Sequence, residues 1–267
     1  MSSLRFLYIG DVVGKAGRAA VSKLLPGLRA ELSVDAVFAN AENMAHGNGI
    51  STDTVNELLA AGVDYCSSGN HVWDNKDGVE YLKRSDARVI RPANLPASNA
   101  GRGWMTVEVG TKKVLLINLV GQVFMPQQAD SPFSCIDAIL KQHPPEQFNA
   151  VLVDMHAEAT SEKQALAWYL DGRVSTVVGT HTHVPTADLR ILHHGTGLVC
   201  DLGSVAAADS VIGADKDKVL HRFLTQLPGS LSPAETGEVL FNAVLLEIDP
   251  ATRQTVRLTR VDRVVAG

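Results

Sequence analysis

The sequence predicts an α/β fold in which two mixed sheets face each other with helices on the outside. Short apolar runs alternate with amphipathic stretches in the first half, which is typical of β-α-β units and a parallel sheet. After residue 100 two adjacent apolar runs introduce an antiparallel pair, and the final third is mostly β. A chain of 267 residues can bury a large core, and we expect one domain spanning residues 1–267.

Strands and helices alternate regularly in the first half. The predicted strands are RFLYIG, VDAVFAN and VDYCSSG, and the predicted helices are AAVSKLLPGLRAEL, TVNELLAAG and DGVEYLKR. Because proline removes a helix hydrogen bond, Pro26 predicts a kink or a break in the first helix. Ligand sites of parallel sheets gather beyond the carboxyl ends of the strands, so functional residues should follow the strands.

The second half mixes both kinds of pairing. WMTVEVGTKKVLLINLV predicts two strands joined by a turn at residues 110–112. Two helices are predicted over SPFSCIDAILKQ and SEKQALAWYLDG, and two strands over FNAVLVDMHAE and STVVGTHTH. A helix around KDKVLHRFLTQL and a hairpin over VLLEIDPATRQTVRLTRV complete the pattern.

Composition and charge exclude several classes of protein. A net charge of -5 gives no general attraction for nucleic acid or an acidic membrane, so any phosphate site must be local. Cys66, Cys135 and Cys200 are far apart and odd in number, which disfavours a disulfide framework or a thiolate zinc site and favours a reducing compartment. The sequence has no apolar run of about 18 residues. We therefore expect a cytoplasmic protein without a membrane partner.

Five strand-like runs end in polar clusters. Those clusters supply Asp11, Glu42 with Asn43, Asn70 with His71, His156, and His181 with His183. One such residue at a strand end is common and usually structural, because turns and caps use the same side chains. Five clusters of carboxylates, carboxamides and imidazoles without thiolates instead indicate a site for two divalent or trivalent metal ions. Iron or manganese suits these ligands best, and zinc is an alternative.

The spacing of two side-chain pairs adds detail to this site. If the segment is extended, His181 and His183 lie on one side of it and can reach the same metal or neighbouring metals. A pair of core histidines is the alternative. Asp154 precedes His156 by two residues, so it would face the same side and could orient this ligand, although a solvated carboxylate fits the spacing equally well.

Six segments together resemble the YmdB-like branch of the bacterial calcineurin-like metallophosphoesterases. They are GDVVGKAGR, NAENMAHGNGI, SSGNHVWDNK, RPANLP, DMHAEATSEK and GTHTHVPTAD, in this order over about residues 5–190. The resemblance implies a four-layer α/β/β/α sandwich of the metallophosphoesterase type. It also implies that Asp11, Asn43 and His183 bind one metal, that Asn70, His156 and His181 bind the other, and that Glu42 bridges them.

The resemblance further implies an activity. Known members include phosphodiesterases that act on 2',3'-cyclic nucleotides, and His71 matches the family's proton donor. The expected reaction is hydrolysis of a small cyclic nucleotide by a metal-bridging hydroxide that attacks phosphorus while His71 protonates the leaving oxygen. A small phosphodiester is then the partner, with no extended nucleic acid, and a homo-oligomer stays open.

Two other functions fit the same residues. A regulator could keep the metals and act through a protein partner, but it would not need His71 beside a complete ligand set. A nuclease of the same superfamily would need an extended basic groove, which the net acidity disfavours. The chain departs from the family pattern after residue 196, where it reads VCDLGSVAAADSVIG. That departure leaves the predicted ligands intact and places substrate preference and subunit contacts in question.

Overall fold

The computed structural model describes residues 3–266. Six α-helices occur in this part of the chain: α1 (Gly14–Glu31), α2 (Thr52–Ala61), α3 (Lys76–Leu82), α4 (Pro132–Gln142), α5 (Thr160–Tyr169) and α6 (Lys216–Thr225). Local sequence fixes several of their ends. Ser51 caps α2 in a capping box with Thr54, and Ser131 caps α4 just before a proline at the first helical position.

The first sheet is built around the first strand. Its members are β1 (Leu4–Val12), β2 (Ala36–Asn40), β3 (Tyr65–Ser67), β10 (Ser204–Ala207), β11 (Val239–Phe241), β12 (Ala243–Ile248), β13 (Thr255–Arg260) and β14 (Arg263–Val265). Strand β1 pairs in parallel with β2, which pairs in parallel with β3. On its other side β1 pairs antiparallel with β12, and its last residues pair in parallel with β10.

The second sheet holds the remaining strands in the order β4-β5-β6-β7-β9-β8. They are β4 (Trp104–Val109), β5 (Lys112–Val120), β6 (Ala150–His156), β7 (Thr176–Thr180), β8 (Arg190–Ile191) and β9 (Gly197–Val199). Strands β5, β6, β7 and β9 run parallel, and the antiparallel β4 and β8 form the two edges. Both sheets are therefore mixed.

Alternation along the strands divides the core into three parts. Phe6 and Tyr8 of β1 pack between the two sheets, whereas Leu7 and Ile9 pack beneath helices α1 to α3. In β6, Leu152 points between the sheets, and its neighbours pack beneath α4 and α5. Because successive strand side chains face opposite sides, each sheet buries both faces. The result is the predicted four-layer α/β/β/α sandwich.

Most element predictions from the sequence are confirmed. Of the two outcomes predicted at Pro26, a kink or a break, the break is absent, since α1 runs as one helix from Gly14 to Glu31 with the proline inside it. Pro26 lies in the second half of α1, whose buried side includes Leu25 and Leu28, so packing onto the sheet holds the helix together despite the missing hydrogen bond. Across residues 3–266, none of the helices has the length and apolar character needed to traverse a bilayer.

Candidate metal centre and active site

Parallel strands bring the predicted ligands to one edge of the sandwich. Asp11 lies near the end of β1, and Glu42 and Asn43 follow β2. Asn70 follows β3 in the same sheet. In the facing sheet, His156 is the last residue of β6. The carboxyl ends of parallel strands meet at one edge, so the structure collects these side chains where the sequence predicts them.

One group of predicted ligands surrounds a ring nitrogen of His156. Its Nε2 atom lies 3.0 Å from Glu42 Oε1, 3.0 Å from Asn70 Oδ1 and 3.1 Å from His181 Nδ1. His156 is fully buried and Glu42 is 1% exposed. Donor atoms of Glu42, His156 and His181 lie within 4.8 Å of one another. This arrangement fits a cation, because several donor atoms converge on one buried point.

A second group contains the remaining predicted ligands. His183 Nε2 lies 3.2 Å from Asn43 Nδ2 and 3.8 Å from Asp11 Oδ1. Oδ1 of Asp11 is buried and accepts no hydrogen bond from the part of the chain that the structure describes. A buried carboxylate oxygen without a partner is costly. A cation bound between Asp11 and His183 would remove that cost, so the residues present fit a second metal ion.

Glu42 lies between the two groups. One carboxylate oxygen contacts His156, and the same oxygen accepts a 3.5 Å bond from Asn43 Nδ2. The other oxygen accepts the backbone N–H of His71 at 2.9 Å. Gly69 makes this packing possible, since a Cβ there would come within 2.3 Å of the His156 ring and 2.4 Å of Glu42 Oε2.

Burial and charge set the pKa values of these ionisable groups. Burial would raise the pKa of Glu42, but the neighbouring His156 and His71 lower it to about 2. Burial would lower the pKa of His156, but Glu42 raises it to about 9. Burial and His156 lower the pKa of His181 to about 3. At neutral pH these pKa values leave Glu42 ionised and His181 neutral, as metal binding would require, whereas His156 would have to lose a proton to bind a metal.

Two hydrogen bonds orient the predicted histidine ligands His156 and His183. His156 Nδ1 lies 2.9 Å from the hydroxyl of Thr180, which donates to Asp154 at 2.7 Å. Asp154 is fully buried and not solvated, and through Thr180 it is linked to His156. Nδ1 of His183 lies 2.7 Å from the carbonyl of Ile212, which leaves its Nε2 free to bind.

The prediction that His181 and His183 lie on an extended segment is wrong. Strand β7 ends at Thr180, and His181 and His183 have φ values of 101° and 63°, in the left-handed region. The two side chains therefore reach the site from a tight loop and not from one face of a strand. Asp201 fixes this loop by accepting the N–H of Thr182 at 3.0 Å and its hydroxyl at 2.8 Å.

A buried ion pair anchors that loop from below. Lys163 Nζ lies 2.8 Å from Asp201 Oδ2, with side chains 2% and 0% exposed. Burial beneath the loop keeps Lys163 out of the cavity lining. The pair instead holds the backbone that presents His181 and His183.

His71 lies at the opening of the site. Its side chain is 34% exposed, and its Nδ1 atom lies 2.6 Å from Asp74 Oδ2. Because this contact engages Nδ1, Nε2 is the ring nitrogen that is available to interact with a substrate. Asp74 was not identified from the sequence. Its position three residues after His71 was the available signal.

A cavity of about 250 Å³ opens onto the predicted ligands. Glu42, Asn43, His71, His181 and His183 contribute to its lining. The rest comes from residues 13, 47 and 48 and from two later segments, 212–214 and 231–233. Residues 212 and 213 end the segment VCDLGSVAAADSVIG, where the sequence departs from the family pattern, and residues 231–233 lie beyond it. The sequence therefore indicated the ligand candidates and missed these wall residues.

Comparisons with known proteins agree with this architecture. A model of the YmdB-like protein family matches residues 7–261. The 2',3'-cyclic-nucleotide 2'-phosphodiesterase of Bacillus subtilis (strain 168) is 39% identical, over 97% of this chain and 96% of the relative.

Two solved structures share the whole fold. The crystal structure of a hypothetical protein from Thermus thermophilus has a TM-score of 0.91 at 40% identity and covers 98% of this chain and 99% of its own. The crystal structure of a novel phosphatase from Mycoplasma pneumoniae has a TM-score of 0.92 at 33% identity and covers 100% and 95%.

The two facing mixed sheets with helices outside form a sandwich of the metallophosphoesterase type. A hydrolase of the phosphoesterase class that depends on divalent metal ions is the class of protein that this fold and its site define. The chain belongs to the YmdB-like family.

Proposed function

We propose that this protein is a dinuclear-metal phosphodiesterase that hydrolyses small 2',3'-cyclic nucleotides. The observation that carries the proposal is the pair of predicted ligand groups joined by Glu42, one around His156 Nε2 and one around Asp11 Oδ1, which has no hydrogen-bond partner among residues 3–266. The B. subtilis relative, which covers nearly the whole chain, is named for this activity. We infer that the chain acts as one domain over residues 1–267.

The predicted ligands suit two particular kinds of metal. Asp11, Asn43 and His183 would hold one ion, Asn70, His156 and His181 the other, and Glu42 would contact both. Carboxylates, carboxamides and imidazoles without thiolates favour iron or manganese, with zinc as the alternative. Bound there, the ions supply charge neutralisation for the phosphoryl group and lower the pKa of water.

His71 is the proposed proton donor. It lines the cavity, it directly follows the ligand Asn70, and Asp74 holds its Nδ1 atom. A ribose oxygen that leaves phosphorus needs a proton, and the free Nε2 atom can deliver it. A positioned group of this kind typically contributes about 10²- to 10⁴-fold to the rate.

The surroundings of the cavity support a small substrate. A groove next to it, which shares Ser232 and Pro233 with the cavity, is lined by the acidic residues Asp209, Asp215, Asp217 and Glu235 and by Lys216. This surface repels the additional phosphates of a polynucleotide, so a nuclease fits less well. The free cysteines of the described chain support a reducing compartment, and we propose the cytoplasm.

Metal analysis combined with a substrate panel tests the proposal. Protein purified without added metal should contain close to two equivalents of iron or manganese and should hydrolyse 2',3'-cyclic nucleotides faster than 3',5'-cyclic or linear diesters. A metal-loaded protein without activity on any diester would support the regulator instead. Rapid cleavage of structured RNA at moderate salt, with little activity on cyclic mononucleotides, would support the nuclease.

A further inference from the structure

The part of the cavity lining that carries no predicted ligand is largely apolar. Val13, Ile212, Ala214, Leu231 and Pro233 line it, and we name these five residues the apolar wall. Their side chains cannot bind a metal or a phosphate. No lysine or arginine of residues 3–266 lines the cavity. The cavity therefore combines one phosphate site with an uncharged surface.

The turn that contains Ile212 does not require an isoleucine side chain. Its φ is 49°, in the left-handed region, where a β-branched residue is a genuine outlier. Reciprocal hydrogen bonds of 2.9 Å between Val211 and Ala214 close this turn, and the carbonyl of Ile212 accepts from His183. Glycine would supply the same carbonyl without strain. An isoleucine that is 56% exposed at this point in the cavity indicates a use for its side chain.

The apolar wall ends at the acidic groove. Ser232 and Pro233 belong to both, and beyond them lie Asp215 and Glu235. A group that occupies the wall must therefore be apolar on its faces, must be uncharged, and must not carry a further phosphate. A nucleobase that is joined to a single phosphate through one ribose meets these conditions.

We propose that the apolar wall binds the nucleobase of a mononucleotide whose phosphate lies at the predicted ligands. The inference rests on the proposed function and deepens it by assigning the base a place. The base buries apolar surface against Ile212 and Leu231, which contributes to affinity and not to the chemical step. Removal of either side chain should therefore raise KM for a nucleotide and leave kcat nearly unchanged.

Kinetics on two matched substrates test this assignment. Adenosine 2',3'-cyclic phosphate carries a base, and methyl riboside 2',3'-cyclic phosphate has the same reacting group without one. For Ile212→Ala we expect KM for the nucleotide to rise about tenfold, as for the loss of two or three buried carbons, with KM for the riboside unchanged. Leu231→Ala should act in the same way. Val264→Ala, at a residue that is 62% exposed on β14, is the matched control.

The possible outcomes distinguish failure of the base-binding assignment from failure of the proposed activity. Equal KM changes on both substrates, or none on either in active variants, would overturn the assignment. If the wild type hydrolyses neither substrate, the proposed activity fails, and calorimetry still tests the wall with adenosine 2'-monophosphate and ribose phosphate. Weaker binding of the nucleotide alone by Ile212→Ala supports the wall, and unchanged binding of the nucleotide overturns it.

Discussion

The ligand floor of the cavity and its apolar wall are held in place by different means. We define the floor as the buried residues Asp11, Glu42, Asn43, Asn70 and His156, which lie at strand ends and are at most 9% exposed. The wall is formed mainly by turns, and two of its members, Ile212 and Leu231, are 56% and 39% exposed. Buried polar contacts fix the positions of the floor side chains, whereas the exposed side chains of the wall are less constrained. Substitutions in the floor should therefore lower metal occupancy, and those in the wall should change the affinity for substrate.

The largest expected effect comes from Glu42, which contacts both ligand groups. Glu42→Gln should lower the occupancy of both metal sites, because the variant removes the charge shared between them. Asp11→Asn should weaken mainly the site shared with His183. Elemental analysis of the purified variants measures both effects. Two full metal equivalents in Glu42→Gln would disprove the bridging role.

The next effect concerns a residue between floor and wall. His71→Ala should retain both metals and lose activity on cyclic nucleotides by about 10²- to 10⁴-fold. Bis-nitrophenyl phosphate should suffer less, because nitrophenolate leaves readily without a proton. Parallel assays of both substrates together with metal analysis check this. Equal losses would point to binding or electrostatic stabilisation, and a missing metal equivalent would make His71 a ligand.

A third test compares Lys163, beneath the loop that carries His181 and His183, with a lysine beside the wall. Lys163→Met leaves the buried carboxylate of Asp201 without its ion-pair partner, so the free energy of unfolding should fall by about 3 kcal/mol. Lys218, an exposed lysine that donates to Ser232 at 2.7 Å, is the control. Lys218→Met should change stability by less than about 0.5 kcal/mol. Urea denaturation of both variants gives the comparison, and similar losses would remove the distinction between the regions.

The smallest effect compares two glycines. Gly69→Ala places a Cβ within 2.3 Å of His156, and overpacking of this kind costs about 1–3 kcal/mol and should also reduce metal occupancy. Gly229 lies just before the wall segment 231–233, and apart from its chain neighbours no atom of residues 3–266 lies within 4 Å of a Cβ added there, so Gly229→Ala should behave like the wild type. Thermal unfolding and metal content measure both. A stable, metal-loaded Gly69→Ala variant would show that the floor adapts more than its packing suggests.

Much of the floor could be predicted from the sequence because its signal is local. Each predicted ligand stands in or directly after an apolar run, and parallel pairing brings these ends together in any sheet of this type. The failure at His181 and His183 has a local cause as well. The alternating pattern predicts an extended segment, and the residue types of the histidines give no sign of a left-handed backbone. Asp201, 18 or more residues further along the chain, holds that backbone in place.

The wall could not be predicted, because no local pattern connects its parts. Val13, Ile212 and Leu231 are distant in sequence, and tertiary contacts such as the bridge between Ala214 and Pro233 bring their segments together. An exposed aliphatic residue in a turn looks like ordinary surface until the cavity is seen. The continuity of α1 at Pro26 could not be predicted either, because helix propensity does not include the packing that holds the helix on the sheet.

The position of β1 in its sheet sets an order for biosynthesis. A nascent chain of about 200 residues already contains all seven predicted ligands, yet only β2 is present to flank β1. The other neighbours are β10 and β12, and Leu4 pairs with Ile248. Such distant pairing closes late in folding. Asp11 itself pairs with Ser204, so the strand that carries it gains its remaining neighbours only once residues 204–248 have been synthesised.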